Sequence, residues 1–185
     1  MAKVILGLTI SLDGFAEDIN GSVGKLYPDL DILRETEILK ESIDATGSVV
    51  MSKKEFAMTE NPDSLADGFE YQVPIFVFTD KEPEIHPKEN DNLNFTFVTD
   101  GIKNAIMQAK EAAGEKDVTI IGSASTTQQC LKTWLADELQ IDIIPLFLKK
   151  GYRPFEDIDK SFNVERIKVV ALPAGRTHLR FRIVK

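Results

Sequence analysis

Short runs rich in valine, isoleucine and leucine alternate with stretches of helical periodicity from the N-terminus to Leu135, and this alternation restricts the fold more than any motif. Lys3 to Ile10 reads as a buried strand, and Ser48 to Met51, Val73 to Thr79, Phe95 to Thr99 and Val118 to Ile121 read as further ones. Between them, Asp29 to Ile43 places Ile32, Leu39 and Ile43 on one helical face, with acidic residues in the first turns. Ile102, Ala105, Ile106, Ala109 and Ala113 also fall at helical spacing, with Asp100 as the predicted cap and Gly114 as the stop. Gly122-Ser123 opens a further helix, predicted to end near Leu135. Strands alternating with helices imply βαβ units and a mostly parallel sheet.

After Leu135 the pattern changes. Leu139 to Ile143 alternates, as a strand with one solvated face does. From Phe162 onward, two strands flank Pro173-Ala174-Gly175 and predict an antiparallel hairpin at one edge of the sheet. In its second strand Leu179, Phe181 and Ile183 alternate with His178, Arg180 and Arg182, which assigns His178 to the polar face. No repeat, low-complexity tract or linker interrupts the chain, so the expectation is one α/β domain over residues 1–185.

A chain of 185 residues buries roughly 70% of its unfolded surface and needs neither disulfide nor structural metal. The formal net charge of −8 repels nucleic acid and anionic membrane, and any anionic ligand requires a local positive patch. Cys130 is the only cysteine, so no internal bridge can form, and on a helix it reads as a small buried hydrophobe. The opening run Val4-Ile5-Leu6 breaks at Gly7, too short for a signal peptide, and no run approaches the ~20 apolar residues of a membrane span. The expected location is the cytoplasm.

Strong chemical signatures are absent: there is no GxGxxG, Walker A loop, HExxH or CxxC. His86 and His178 are far apart, so no metal site is expected; His86 reads as a surface residue and His178 as a cross-strand partner. Ligands of open α/β sheets bind beyond the carboxyl ends of strands, where helix N-termini present free N–H groups. Two junctions fit. At the first, Ser52-Lys53-Lys54-Glu55 follows Val50-Met51, and the two lysines supply positive charge. At the second, Gly122, Ser123, Ala124, Ser125 and Thr126 follow Ile120-Ile121, and small side chains let a phosphate approach the backbone. Both junctions also carry a capping-box pattern, Ser52-x-x-Glu55 and Ser125-x-x-Gln128, which would satisfy those N–H groups from within.

Ser11-Leu12-Asp13-Gly14-Phe15, Val49-Val50-Met51 before Lys53, Val73-Pro74-Ile75-Phe76-Val77 and Asp117-Val118-Thr119-Ile120-Ile121-Gly122 follow one another in a telling order. After them come Leu135-Ala136-Asp137-Glu138-Leu139, Gly151-Tyr152-Arg153-Pro154-Phe155 and Thr177-His178-Leu179-Arg180-Phe181-Arg182. Together they resemble dihydrofolate reductase-like proteins, the group that includes the C-terminal domain of the riboflavin-pathway reductase. The resemblance implies a three-layer sandwich with a mostly parallel central sheet and an antiparallel C-terminal hairpin. It further implies an NADPH-dependent reductase acting on a small heterocyclic or carbonyl substrate, and a homodimer. Gly122, Ser123, Ala124, Ser125 and Thr126 would hold the pyrophosphate, and Lys53, Lys54 and Thr79 the adenosine end. Asp13 would line the substrate side as the candidate acid, with Asp31 and Glu35 as alternatives. Trp134 would fill the core or a dimer contact.

The chain departs from the family pattern where the cofactor would touch it. Ser52-Lys53-Lys54-Glu55 stands where members usually read Gly-Arg-x-Thr, and Gly122-Ser123 where they usually read Gly-Gly. Lys53 keeps the charge but not the planar fork that suits phosphate, and Glu55 can set a carboxylate beside it. Ile121 stands where riboflavin-pathway members commonly carry an acid, so riboflavin synthesis itself is not expected. The other reading is a non-catalytic member that keeps the fold and dimer without tight nucleotide binding; a flavin or other nucleotide in the same cleft is a third.

Overall fold

The structure, a computed structural model, describes residues 2–59, 61–156, 158 and 162–185. Its strands are β1 (Val4–Ser11), β2 (Glu17–Asp18), β3 (Thr46–Ser52), β4 (Ile75–Phe78), β5 (Phe95–Val98), β6 (Asp117–Ile121), β7 (Glu138–Ile144), β8 (Gly151–Tyr152), β9 (Asn163–Ala171) and β10 (Thr177–Val184). The helices are α1 (Leu30–Arg34), α2 (Glu37–Ala45), α3 (Lys53–Ala57), α4 (Leu65–Gly68), α5 (Ile102–Ala113) and α6 (Ala124–Thr133). The fold is mixed α/β, with a mostly parallel sheet and antiparallel edge strands, as the alternation predicts. Residue contacts group the chain into two compact units, one of residues 1–5 and 43–121, the other of 6–42 and 122–185.

In the first unit β5, β4, β3 and β6 lie side by side, and all their pairings are parallel. Val49, Ile75 and Phe95 pair in register and pack with Met51, Val77, Leu65 and Leu93 in one apolar cluster. The α5 face of Ile102, Ala105, Ile106, Ala109 and Ala113 is buried, and the Ser48 hydroxyl donates to the Ala109 carbonyl at 2.8 Å. The predicted stop, Gly114, is the C-cap. The predicted cap is not: α5 starts behind Gly101, whose φ of 96° turns the chain, and the Asp100 carboxylate instead accepts from the Asn104 amide at 2.7 Å.

In the second unit β10 lies between β7 and β9, antiparallel to both. The helix predicted over Asp29–Ile43 is two helices. Thr36 divides them: its hydroxyl donates to the Leu33 carbonyl at 2.7 Å, closing α1, and accepts from Leu39 N–H at 3.3 Å, opening α2. The polar-face assignment of His178 is also corrected, for the side chain is 4% exposed. The face that holds His178 is closed over by a buried polar cluster, in which Asp142 holds its Nδ1 at 2.8 Å, so the alternation of β10 does not separate a core face from a solvent face there. His178 does pair across the strands, opposite Asp142. Trp134, 37% exposed, ends α6 in the left-handed region and packs against Phe162, the rings tilted by 39° with centroids 4.8 Å apart. Cys130 is buried, and burial pushes its thiol up to about 12.

The two-stranded ladder β2–β8 depends on a missing side chain. A Cβ on Gly151 would lie 1.9 Å from the Glu17 carbonyl oxygen, and its φ is 154°. Gly151→Ala is therefore expected to lower unfolding free energy by about 2 kcal/mol or more in urea titration. Gly68→Ala, where a Cβ meets nothing within 4 Å, is expected to leave it unchanged or slightly raised.

Candidate functional site

The carboxyl ends of β3 and β4 stand side by side in the first unit, with Ser52 in register with Phe78. The chain leaves them through Lys53 and Thr79. Ser52 caps α3: its hydroxyl accepts from Lys54 N–H at 3.1 Å and Glu55 N–H at 3.5 Å, and its own N–H donates to Glu55 Oε2 at 2.7 Å. The predicted capping box is thus formed, and the Glu55 carboxylate is folded back on its own helix. Beyond the strand ends lies a cavity of about 500 Å³ lined by Lys53, Thr79, Phe56, Phe97, Lys81 and Glu82, among others. Lys54 and Glu55 are not among its lining residues.

The walls of this cavity are aromatic. Phe56 meets Phe97 edge-on at 5.6 Å, and His86 meets Phe97 likewise at 5.2 Å. Lys81 pairs with Glu84 at 3.5 Å and Glu82 with His86 at 3.3 Å, whereas Lys53 has no ion-pair partner among the described residues. The Thr79 hydroxyl donates to the Lys81 carbonyl at 2.9 Å and accepts from Lys81 N–H at 3.3 Å, so it shapes the turn that forms the rim. A slot floored by two phenylalanine rings, with Lys53 outside any ion pair among the described residues and Glu82 and Glu84 on the rim, suits a flat ring whose anionic group lies toward Lys53.

In the second unit the start of α6 holds the other predicted junction. Ser123, not Ser125, is the cap: its hydroxyl accepts from Thr126 N–H at 3.3 Å and donates to Thr126 Oγ1 at 3.2 Å. The expected box from Ser125 to Gln128 does not form, because the helix begins one residue earlier than Ser125 and Gln128 donates to the Arg153 carbonyl at 3.0 Å. The first helical N–H, of Ala124, donates to Glu17 Oε1 at 2.9 Å, and Glu17 is fully buried. Sequence reasoning missed Glu17; its one signal is an acid placed between the apolar pair Phe15-Ala16 and a turn.

Asp13 is an anchor. Its carboxylate accepts from the Ser11 hydroxyl at 2.6 Å, Lys149 N–H at 2.8 Å and Leu148 N–H at 3.1 Å. Burial works to raise its pKa, but the Ser11, Lys149 and Leu148 donors together outweigh that and hold it below the ordinary 3.8. Held as an anion by these donors, it is a poor proton carrier and is placed to fix the loop and orient a donor. Nearby, the Arg153 guanidinium lies 4.1 Å over the Phe15 ring.

Of the acids near α1, the buried one is Asp29 rather than Asp31 or Glu35. Asp31 is 98% exposed and faces Arg34 at 3.6 Å. Asp29 takes a two-pronged contact from Arg176, at 2.7 Å from Nη2 and 3.0 Å from Nε. Arg176 is 1% exposed and also donates to Asp142 at 3.1 Å and the Leu26 carbonyl at 3.1 Å. Asp142 in turn holds His178 Nδ1 at 2.8 Å. The hydrogen bond from Arg176 holds the Asp29 carboxyl below 3.8 against the burial that would raise it. Burial also drives the Tyr27 phenol up, against its Thr9 hydrogen bond and the Arg176 charge.

A mostly parallel sheet with antiparallel edge strands and a cavity beyond the carboxyl ends of β3 and β4 is an open α/β architecture. More closely, residues 2–177 match the family described as the RibD C-terminal domain, and the chain belongs to that family. It is 26% identical over 183 residues to the uncharacterized protein YyaP of Bacillus subtilis (strain 168), covering 94% of this chain and 90% of that one. Its fold is similar to that of a candidate riboflavin biosynthesis protein from Shewanella sp. PV-4, with TM-score 0.76, 21% identity and 99% of each chain covered. It is also similar in fold to a dihydrofolate reductase from Enterococcus faecalis complexed with NADP(H), with TM-score 0.66, 14% identity and 99% and 97% covered.

Two carboxylates give stability an acid limb, Asp29 in the buried Arg176 cluster and Asp13 in its contacts with Ser11, Leu148 and Lys149. Asp13 and Asp29 have folded pKa values below the unfolded 3.8, so their contribution is complete above that pH and is lost as pH falls through the folded values. Arg176→Met is expected to cost about 3 to 5 kcal/mol in denaturant unfolding, because it leaves Asp29 and Asp142 buried without their cation. Adding Asp29→Asn to that variant should restore part of the loss and flatten the acid dependence.

Proposed function

We propose that this chain is an NADPH-dependent reductase that passes a hydride to a small heterocyclic or carbonyl substrate. The observation that carries the reading is the cavity beyond the ends of β3 and β4, where Phe56 and Phe97 lie in one lining with Lys53, a lysine outside the ion pairs of the rim, in a chain of the RibD C-terminal domain family. Similar folds include a dihydrofolate reductase complexed with NADP(H) and 57% of a Thermotoga maritima protein named as a diaminohydroxyphosphoribosylaminopyrimidine deaminase/5-amino-6-(5-phosphoribosylamino)uracil reductase.

When bound, NADPH supplies the hydride; the residues of the chain bind, orient and exclude water. In the first unit, Phe56 and Phe97 would enclose the adenine ring, Lys53 would pair with the 2′-phosphate, and Thr79 would hold the rim. Lys54 lies beside them and would add to the positive field without lining the cavity. In the second unit the turn Gly122, Ser123, Ala124, Ser125 and Thr126 would take the pyrophosphate. A Cβ at Gly122 would lie 2.8 Å from Thr127 Oγ1 and 3.1 Å from the Gly7 carbonyl, so a larger residue could not form this turn. Asp13 would fix the Ser11 to Phe15 loop on the substrate side and orient a donor there.

A second reading, a member that keeps the fold without tight nucleotide binding, is favoured by the two capped helix starts. The homodimer belongs to either reading: Val164, Ile167 and Val169 on β9 are each more than 40% exposed. A cytoplasmic location fits the chemistry, and among the described residues no helix is long and apolar enough to cross a membrane.

NADPH titration followed by fluorescence of the single tryptophan, Trp134, separates the two readings. Micromolar affinity, with NADH about tenfold weaker, is expected of the reductase. Lys53→Met should abolish the preference, and Ser52→Gly with Glu55→Thr should tighten NADPH by freeing the α3 amides. No binding up to millimolar NADPH establishes the second reading instead.

A further inference from the structure

The start of α6 already has an anion in it. Glu17 is fully buried, a rare state for a carboxylate, and its Oε1 accepts from the N–H of Ala124, the first residue of the helix. The backbone that carries it is fixed, because β2 is hydrogen-bonded to β8, with Glu17 opposite Tyr152 and Gly151 pressed against the Glu17 carbonyl, so only side-chain rotation can withdraw the carboxylate. Beside the same turn lies a polar atom the chain leaves unsatisfied: Thr127 Oγ1, fully buried, has no hydrogen-bond partner among the described residues. It faces Gly122, 2.8 Å from where a Cβ would stand. A buried hydroxyl left without a partner costs stability unless something outside the fold uses it.

We infer that Glu17 is a built-in competitor for the phosphate seat of α6, and that it sets how tightly this chain holds a pyrophosphate-bearing ligand. The inference rests on the NADPH reading above and deepens it. A carboxylate and a phosphate cannot both take the amides at one helix start, since each is an anion and the seat offers few N–H groups. A phosphate entering must therefore displace Glu17 from Ala124, and affinity in the native chain is reduced by the cost of that displacement. Glu17 acts on affinity and on which anions are admitted; it has no part in hydride transfer.

Calorimetric titration of the full chain with NADPH and, separately, with inorganic pyrophosphate tests this. Glu17→Gln keeps the shape and an acceptor for Ala124 N–H while removing the charge. It should bind both probes about tenfold tighter than the native chain. Glu37→Gln, which removes an exposed charge paired with Lys40 on α2, should bind as the native chain does and controls for net charge. Equal NADPH and pyrophosphate affinity in native and Glu17→Gln chains overturns the inference and leaves the cofactor reading standing. Tighter pyrophosphate with NADPH unbound by either chain keeps Glu17 as a guard of an anion seat and overturns the cofactor reading. No binding of either probe by either chain overturns both. If thermal melting finds Glu17→Gln unfolded, Glu17→Asp, which withdraws the carboxylate by one methylene, takes its place with the same expected order.

Discussion

A helix that begins where a buried strand ends leaves amide protons with no partner inside the helix, and something anionic or polar has to meet them. In this chain the answer comes from its own side chains. Glu55 closes back on the Ser52 amide at the start of α3, and Glu17 reaches the Ala124 amide at the start of α6. These two carboxylates decide more about the chemistry available than any other residues. The strand ends are open for a ligand by topology, but their amide donors are already engaged. The cavity beside Lys53 is different, since Phe56 and Phe97 line it and Lys53 takes no part in the ion pairs of its rim. Two ring faces and a lysine are what that place offers a ligand.

The second unit is organised around a guanidinium in its interior. Arg176 is almost wholly buried, and a charge there persists only when its hydrogen-bonding capacity is taken up. Asp29, Asp142 and the Leu26 carbonyl do that, and Asp142 also holds His178. The hydrogen bonds bring together residues from β10, β7 and the segment before α1. Removing any one partner strands the others, so the cluster couples these elements more tightly than apolar packing does. It also accounts for a histidine that sits inward on a strand read as facing it outward.

The regular elements were legible because their signals are local. The α5 face and its Gly114 stop follow from spacing, as do the β-branched runs of β3, β4 and β6. The Ser52–Glu55 box was legible for the same reason, all of its bonds lying within four residues. The misreadings have local causes too. Thr36 splits a helix by back-bonding to Leu33, and Gly101 takes the chain past the point where Asp100 could cap. The box expected at Ser125 failed because Ser123 is the cap and Ser125 already lies inside the helix, while Gln128 reaches the Arg153 carbonyl.

Sequence alone therefore determined the family and the alternating strands and helices, because each depends on residues close together in the chain. Only the tertiary structure decided which carboxylates matter. Asp31 and Glu35 carry the right chemistry on an accessible turn, yet Asp29 is the one drawn inside, by an arginine 147 positions away. Glu17 meets an amide 107 positions away. Asp13, read as an acid, is held as an anion by Ser11 and by two amides more than 130 positions further on. A side chain's charge and contacts are set by what folding brings against it, and no periodicity in the chain encodes partners at that separation.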